Sequence, residues 1–225
     1  AKTNKLTLEY YFEGVGLVSV AAFRRDFENF FGSTVFNATP AFLALYGLDP
    51  AIYDPFDVAT THNIESTVRM EGVDFNYKQA LTFLPSWARG VQVFANGSSL
   101  RAKGDATANF AGYAPRTANW GVSLTRERFN VKLNWNYRSR LRLAKIAAGR
   151  SIDPDTYNWS SSRLYLNVAA DLQLRKHWVL FANLRNFTAV TEDLETLNPF
   201  TPAHAQLRSR DDFGSLWSLG VKATF

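Results

Sequence analysis

The chain contains no cysteine, which excludes a disulfide framework, a thiolate metal site and a cysteine nucleophile. It also lacks any apolar run near the roughly 20 residues that a membrane-spanning helix requires. Crossing a bilayer by helix is therefore excluded. Mean hydropathy is -0.19 although 46% of residues are hydrophobic. A spanning β-strand needs only about 9 to 11 residues with every second one apolar, so these averages fit a membrane barrel as well as a soluble fold. Histidine is scarce: His62, His177 and His204 fall on a loop, a turn and a loop, without ligand-like spacing. There is no Gly-x-Ser-x-Gly nucleophile elbow and no glycine-rich phosphate loop after a strand, which leaves an enzyme little to stand on. Net charge is +5 with a pI near 9.5, yet the basic residues form no run that would point to nucleic acid. Aromatic residues are abundant, at 15%, with 18 Phe, 9 Tyr and 6 Trp. That is more than a soluble domain usually carries, and membrane barrels place such rings in girdles at the two interfaces.

The final stretch, residues 211–225, organises the reading. Phe213, Trp217, Leu219, Val221, Ala223 and Phe225 alternate with Asp212, Gly214, Ser218, Gly220, Lys222 and Thr224. Strand side chains alternate faces, so one face is apolar and the other polar. The same period recurs upstream. Leu6, Leu8, Tyr10 and Phe12 alternate with Thr7, Glu9 and Tyr11, and residues 17–26 return after a short turn near 14. Residues 68–81 and 91–100 form the next pair, joined near 86. Ala118, Trp120, Val122 and Leu124 precede a turn near 127. Phe129, Val131, Leu133, Trp135 and Tyr137 then alternate with Asn130, Lys132, Asn134, Asn136 and Arg138, the sharpest period-2 signal in the chain. Leu164, Leu166, Val168, Ala170, Leu172 and Leu174 lead through a turn near 176 to residues 178–188, whose outward parity the residues leave open.

Nine strands are thus expected, with tight turns near 14, 86, 127 and 176 and long loops near 32–66, 101–113, 144–160 and 189–210. Pro40, Pro50 and Pro55 interrupt the first of these loops, which has room for a short helix over residues 40–46. Short turns on one side and long loops on the other are the habit of outer-membrane barrels.

Particular segments resemble one family. Leu8-Glu9-Tyr10-Tyr11-Phe12 with Val18-Ser19-Val20-Ala21-Ala22-Phe23-Arg24-Arg25-Asp26 is similar to a barrel hairpin of TonB-dependent receptors. Glu71-Gly72-Val73-Asp74-Phe75, then Leu84-Pro85, then Val93-Phe94-Ala95-Asn96, resembles the family's Gly-acidic strand and Leu-Pro turn. Phe181-Ala182-Asn183-Leu184-Arg185-Asn186-Phe187-Thr188 resembles its penultimate strand, and the terminal Phe225 resembles its assembly signal.

The resemblance implies an all-β, antiparallel transmembrane β-barrel, represented over residues 1–225 by the last nine of twenty-two strands. Nine strands do not close a single-chain bacterial barrel, whose strand number is even. The start at Ala1-Lys2-Thr3-Asn4, already entering a strand and without a signal peptide, also reads as a trimmed sequence. The expected role is energised uptake of a scarce ligand such as a ferric siderophore, cobalamin or an oligosaccharide. Expected partners are outer-membrane lipid, a small extracellular ligand, the TonB complex through the absent N-terminal part, and the barrel assembly machinery through the C-terminal strand. No cofactor or nucleic acid is expected, and the C-terminus would be periplasmic with the long loops extracellular. The competing readings are a porin-like or translocator barrel and a soluble β-sandwich binding module.

Candidate site residues follow. Arg138, Arg140 and Arg142 share a parity with Lys132, and alternate strand residues are about 7 Å apart, so they would form a cationic ladder near the extracellular mouth. It suits an anionic ligand, although lumen arginines also pair with plug or loop carboxylates. Phe42, Tyr46, Tyr53 and Phe56 in the longest loop are large apolar groups without a strand face to join, hence candidate ligand contacts. Asp153, Asp155, Asp211 and Asp212 have the oxygen chemistry of a calcium site but fit solvated loops better. The sequons at Asn37, Asn96, Asn158 and Asn186 arise from composition in a bacterial outer-membrane protein.

Overall fold

The structure, a computed structural model, describes residues 1–12, 16–105, 108–146, 152–153 and 155–224. Nine long strands build one antiparallel sheet in chain order: β1 (Lys2–Phe12), β2 (Gly16–Phe27), β5 (Val68–Ala80), β6 (Val91–Lys103), β7 (Arg116–Thr125), β8 (Phe129–Arg138), β11 (Arg163–Arg175), β12 (Trp178–Arg185) and β15 (Leu216–Ala223). They coincide with the nine strands that the alternation predicts. Between them lie the hairpin β3 (Phe30–Asn37) and β4 (Asp57–Ile64), and a four-stranded sheet in the order β14 (Leu207–Asp211), β13 (Glu192–Leu197), β10 (Tyr157–Ser160), β9 (Leu141–Lys145). Two short helices, α1 (Pro40–Leu45) and α2 (Pro50–Tyr53), cap the hairpin, and each starts with proline after a capping residue, Thr39 or Asp49. The first agrees with the helix expected there.

The strands within the expected loops are a correction. Residues 32–66, 144–160 and 189–210 are not irregular throughout. Prolines and short polar segments prevent a long amphipathic strand, but Ser33-Thr34-Val35-Phe36 and Val58-Ala59-Thr60-Thr61 are β-branched-rich enough to pair with each other. The last strand is also shorter than residues 211–225. Asp211 ends β14, and Gly214, at φ +59, donates its N–H to the Asp212 carboxylate at 2.9 Å in a turn. Phe213 lies in that turn, outside β15. The connection near 14 falls on residues 13–15, and Phe225 likewise lies outside the described residues.

Register fixes which side chains share a face. Leu133 stands opposite Val122 and Val168, and Leu180 opposite Leu172 and Val221. A continuous apolar face therefore crosses all nine strands, from Leu6 and Leu8 to Leu219 and Val221. Leu6, Leu8 and Leu219 are 77%, 76% and 72% exposed, so this face is bare protein surface far more apolar than water tolerates. On it Trp120 and Trp135, cross-strand partners, stack with planes 5° apart. The pairing also settles β12: Leu180, Ala182 and Leu184 lie on the apolar face, Phe181 and Asn183 on the other.

The opposite face is polar, with Asn119, Asn134, Asn136, Asn167 and Asp171 among its residues. The aromatic rings there have a repeated setting. Phe23, Phe94 and Phe181 each face a glycine across the ladder, Gly72, Gly121 and Gly220. A cation lies over each ring, from Arg25, Lys132 and Lys222 at 5.5, 4.9 and 4.8 Å. The glycines leave room for the rings to lie against the sheet. Where the loop hairpin meets the wall, Ile64, Val68 and Ala108 form a small core with Phe27, Phe30 and Phe110 against it. Val68 is fully buried, and a burial of that kind contributes about 1.5 to 3 kcal/mol.

Candidate functional site

Strand β8 ends at Arg138, and the chain breaks at Ser139 and Arg140 before re-entering a strand as β9. The even ladder expected for Arg138, Arg140 and Arg142 is accordingly split. Arg138 belongs to the wall and faces Arg163 on β11, whereas Arg142 belongs to the loop sheet and faces Trp159 on β10. The break arises because the long sheet and the loop sheet have different neighbours: β8 pairs with β11, β9 with β10.

The three arginines remain at one end of the barrel wall, each with a different environment. Arg138 donates to Ser160 Oγ at 2.6 Å and to the Ser161 carbonyl at 3.1 Å, while its Nε is buried without a hydrogen-bond partner. Arg140 is ion-paired with Glu195 and lies 4.8 Å from the Trp159 ring centre. Arg142 lies 4.6 Å from the Tyr157 ring centre. Glu192 on β13 takes Arg163 and the Tyr165 hydroxyl. Among the described residues, Arg138 and Arg142 have no carboxylate within ion-pair distance. Arg142 is thus left without an ion-pair partner over an aromatic ring, the arrangement that an anion with an apolar body would complement, while Arg138 lies within electrostatic reach of Glu192.

A cavity of about 1100 Å³ opens at this end, lined by Phe23, Leu100, Phe110, Tyr113, Arg142 and Trp159 among others. A second, of about 430 Å³, lies between the hairpin and the loop sheet and is lined by Thr34, Thr60, Asn109, Arg142, Lys145 and Tyr157 among others. Arg142 borders both. Sequence reasoning missed the partners Tyr157, Trp159, Arg163, Glu192 and Glu195. The Tyr157-x-Trp159 spacing was the available signal, since alternate residues of a strand share a face.

The other candidates lie elsewhere. Phe42 packs on Tyr46 and Phe36, with ring centres 4.9 and 5.3 Å apart, and Tyr53 lies 6.0 Å from Phe56. Phe42, and Tyr46 through it, do have a strand residue to join, Phe36 of β3, whereas Tyr53 and Phe56 pair with each other. Tyr46 remains 64% exposed, a ring that an incoming ligand could cover. Asp155 pairs with Lys145 at 3.1 Å, and Asp153 accepts from Asn198 at 3.2 Å. Among the described residues no group of three or more carboxylates and histidines gathers in a metal-binding arrangement. In the loop sheet, Arg210 holds Asp193 through two hydrogen bonds of 2.7 and 2.8 Å, which keeps the carboxyl below its ordinary pKa and raises that of the guanidinium.

An open antiparallel wall with an apolar outer face, a polar inner face and loops gathered at one end has the architecture of a segment of an outer-membrane β-barrel. The profile of the family described as TonB dependent receptor-like, beta-barrel, matches residues 1–187. The chain belongs to that family, one of outer-membrane receptors and not of enzymes. No curated protein matches it. Among solved structures it is similar to a mutant of the ferric enterobactin receptor PfeA from Pseudomonas aeruginosa, with a TM-score of 0.59 and 12% identity. That likeness covers 99% of this chain and 31% of the other, so the chain spans about a third of that receptor's length.

Proposed function

We propose that the chain is part of a receptor that captures a scarce anionic ligand outside the cell and passes it through the outer membrane, energised through TonB. The single observation that carries the reading is Arg142, a cation without a carboxylate at ion-pair distance among the described residues, set over Tyr157 and opposite Trp159 in the lining of the 1100 Å³ cavity, with Arg138 in the adjoining wall. A ferric siderophore fits this chemistry: an anionic chelate whose organic periphery can stack on rings while guanidinium groups meet its charge. The name of the structural neighbour, a ferric enterobactin receptor, supports the same class. In this reading the loop end is extracellular, the turns are periplasmic, and the assembly machinery engages the C-terminal strand.

The test uses the full receptor that contains this segment. Replacing Arg138 and Arg142 by Gln removes two charged donors, and each such group contributes about 1.5 to 3 kcal/mol. Ferric-chelate affinity should fall at least about tenfold while the barrel keeps its heat-modifiable mobility. Unchanged affinity in a folded double variant would refute the site. Shortening residues 38–58 should likewise weaken capture through loss of Tyr46 and Tyr53, without unfolding the wall.

A further inference from the structure

The ion pair of Arg140 and Glu195 stands on the same face of the loop sheet as the residues assigned to the ligand. Arg142 on β9, Trp159 on β10 and Glu195 on β13 are cross-strand partners in succession, so their side chains share that face. Tyr157, two residues before Trp159 on the same strand, has the same parity. Neighbouring strands lie about 5 Å apart, which places the Cα of Glu195 about 10 Å from that of Arg142, with Trp159 between them. Arg140 comes from the break between β8 and β9, and its guanidinium reaches over the Trp159 ring, 4.8 Å from the centre, to pair with Glu195.

Charge on this face is unevenly matched. Lys145 meets Asp155 at 3.1 Å and Arg140 meets Glu195, whereas Arg142, over the Tyr157 ring, has no carboxylate within ion-pair distance among the described residues. The side chains of Arg140 and Glu195 are 39% and 24% exposed, so an incoming anion can reach both. Water screens such a pair, and it contributes little to stability. Its position counts for more than its strength. The pair covers a ring on which an anionic chelate would stack, and it brings a negative charge beside the place that the chelate's own charge would take.

We infer that Glu195 is a built-in counter-anion of the ligand site, holding Arg140 over Trp159 until a ligand's negative charge replaces its carboxylate. The inference rests on the anionic-ligand reading above. Glu195 is then a positioning residue, acting on the ligand through Arg140. Exchange of one carboxylate for another anion costs a charged ligand little, since Arg140 remains paired and Arg142 gains a partner. The displaced carboxylate stays next to the bound ligand and competes for Arg140, which favours release. A receptor that must pass its ligand onward is served by a competitor of this kind.

The test takes the full receptor that contains this segment, in detergent, and measures affinity and dissociation rate for a trianionic ferric tris-catecholate. Glu195→Gln should tighten binding roughly threefold to fivefold, mainly through slower dissociation. Arg140→Gln should weaken binding, and in that background Glu195→Gln should bring little further gain, because the carboxylate no longer has an arginine to hold. A pair with a merely structural role predicts losses in both single variants. Unchanged or weaker binding by Glu195→Gln would overturn the proposal, and so would an equal gain with and without Arg140. Glu195→Asp keeps the charge but withdraws it from Arg140; it should show part of the same gain and decides the matter if Glu195→Gln fails to fold. Arg142→Gln separates this inference from the reading beneath it. If that variant binds the tris-catecholate as the unaltered receptor does, the anionic-ligand reading fails and the counter-anion with it. If it binds more weakly while Glu195→Gln brings no gain, only the counter-anion role fails.

Discussion

The ring of Phe181 lies against Gly220, its partner across the β12–β15 ladder, with two ring carbons 2.7 Å from where a β-carbon would stand. Lys222 covers the ring from 4.8 Å and also lies 3.7 Å from Asp171. One glycine thereby holds an aromatic ring flush with a polar wall and keeps the lumen clear of it.

Gly220→Ala should push that ring off its partner. Overpacking of this kind costs about 1 to 3 kcal/mol, measured by urea titration of the receptor folded into bilayers. Adding Phe181→Ala removes the collision, so the double variant should be more stable than the sum of the two single effects implies. Strict additivity would show that the ring and the glycine are not coupled.

Leu133 and Asn134 are neighbours in sequence on opposite faces of β8. Arg at Leu133 meets lipid and should cost about 2 to 4 kcal/mol if the site is near the midplane, whereas Arg at Asn134 meets the polar lumen and should cost far less. Equal tolerance of the two in a bilayer folding assay would contradict the assignment of faces.

The Asp193–Arg210 pair gives the loop sheet a pH dependence. Hydrogen bonding from Arg210 depresses the carboxyl pKa in the folded state. Its contribution is therefore complete above the unfolded carboxylate pKa and is lost as pH falls through the lower folded value. Amide protection in β13 and β14, corrected for the intrinsic pH dependence of exchange, should fall in strong acid relative to neutral pH, and Asp193→Asn should flatten that response. An unaltered profile in Asp193→Asn would assign the acid sensitivity to other carboxylates.

Phe225 ends the alternating pattern of the final strand. If the assembly machinery reads that strand, Phe225→Asp should lower the amount of receptor in the outer membrane while translation is unchanged. Immunoblots of fractionated membranes provide the measurement, and equal levels would remove the assembly role.

Alternation alone determined the nine wall strands, because a period of two over ten residues is incompatible with a helix and needs no knowledge of neighbours. Val131, Leu133 and Trp135 against Lys132, Asn134 and Asn136 revealed both faces of β8 before any pairing was known. Strand β12 did not, since Leu180, Phe181, Ala182 and Leu184 are apolar on both parities; only pairing with Leu172 and Val221 chose its outer face. The candidate site was legible as arginines and not as a site. Arg142 meets Trp159 and Tyr157, and Arg163 meets Glu192, across segments separated by long stretches of chain. Such meetings depend on how the loop sheet folds back on the wall, a non-local outcome that no local period encodes. Arg24, Glu71 and Arg101 are of the same kind: they stand on three different strands, and only the register that pairs Arg24 with Glu71 and Glu71 with Arg101 gathers them on one face.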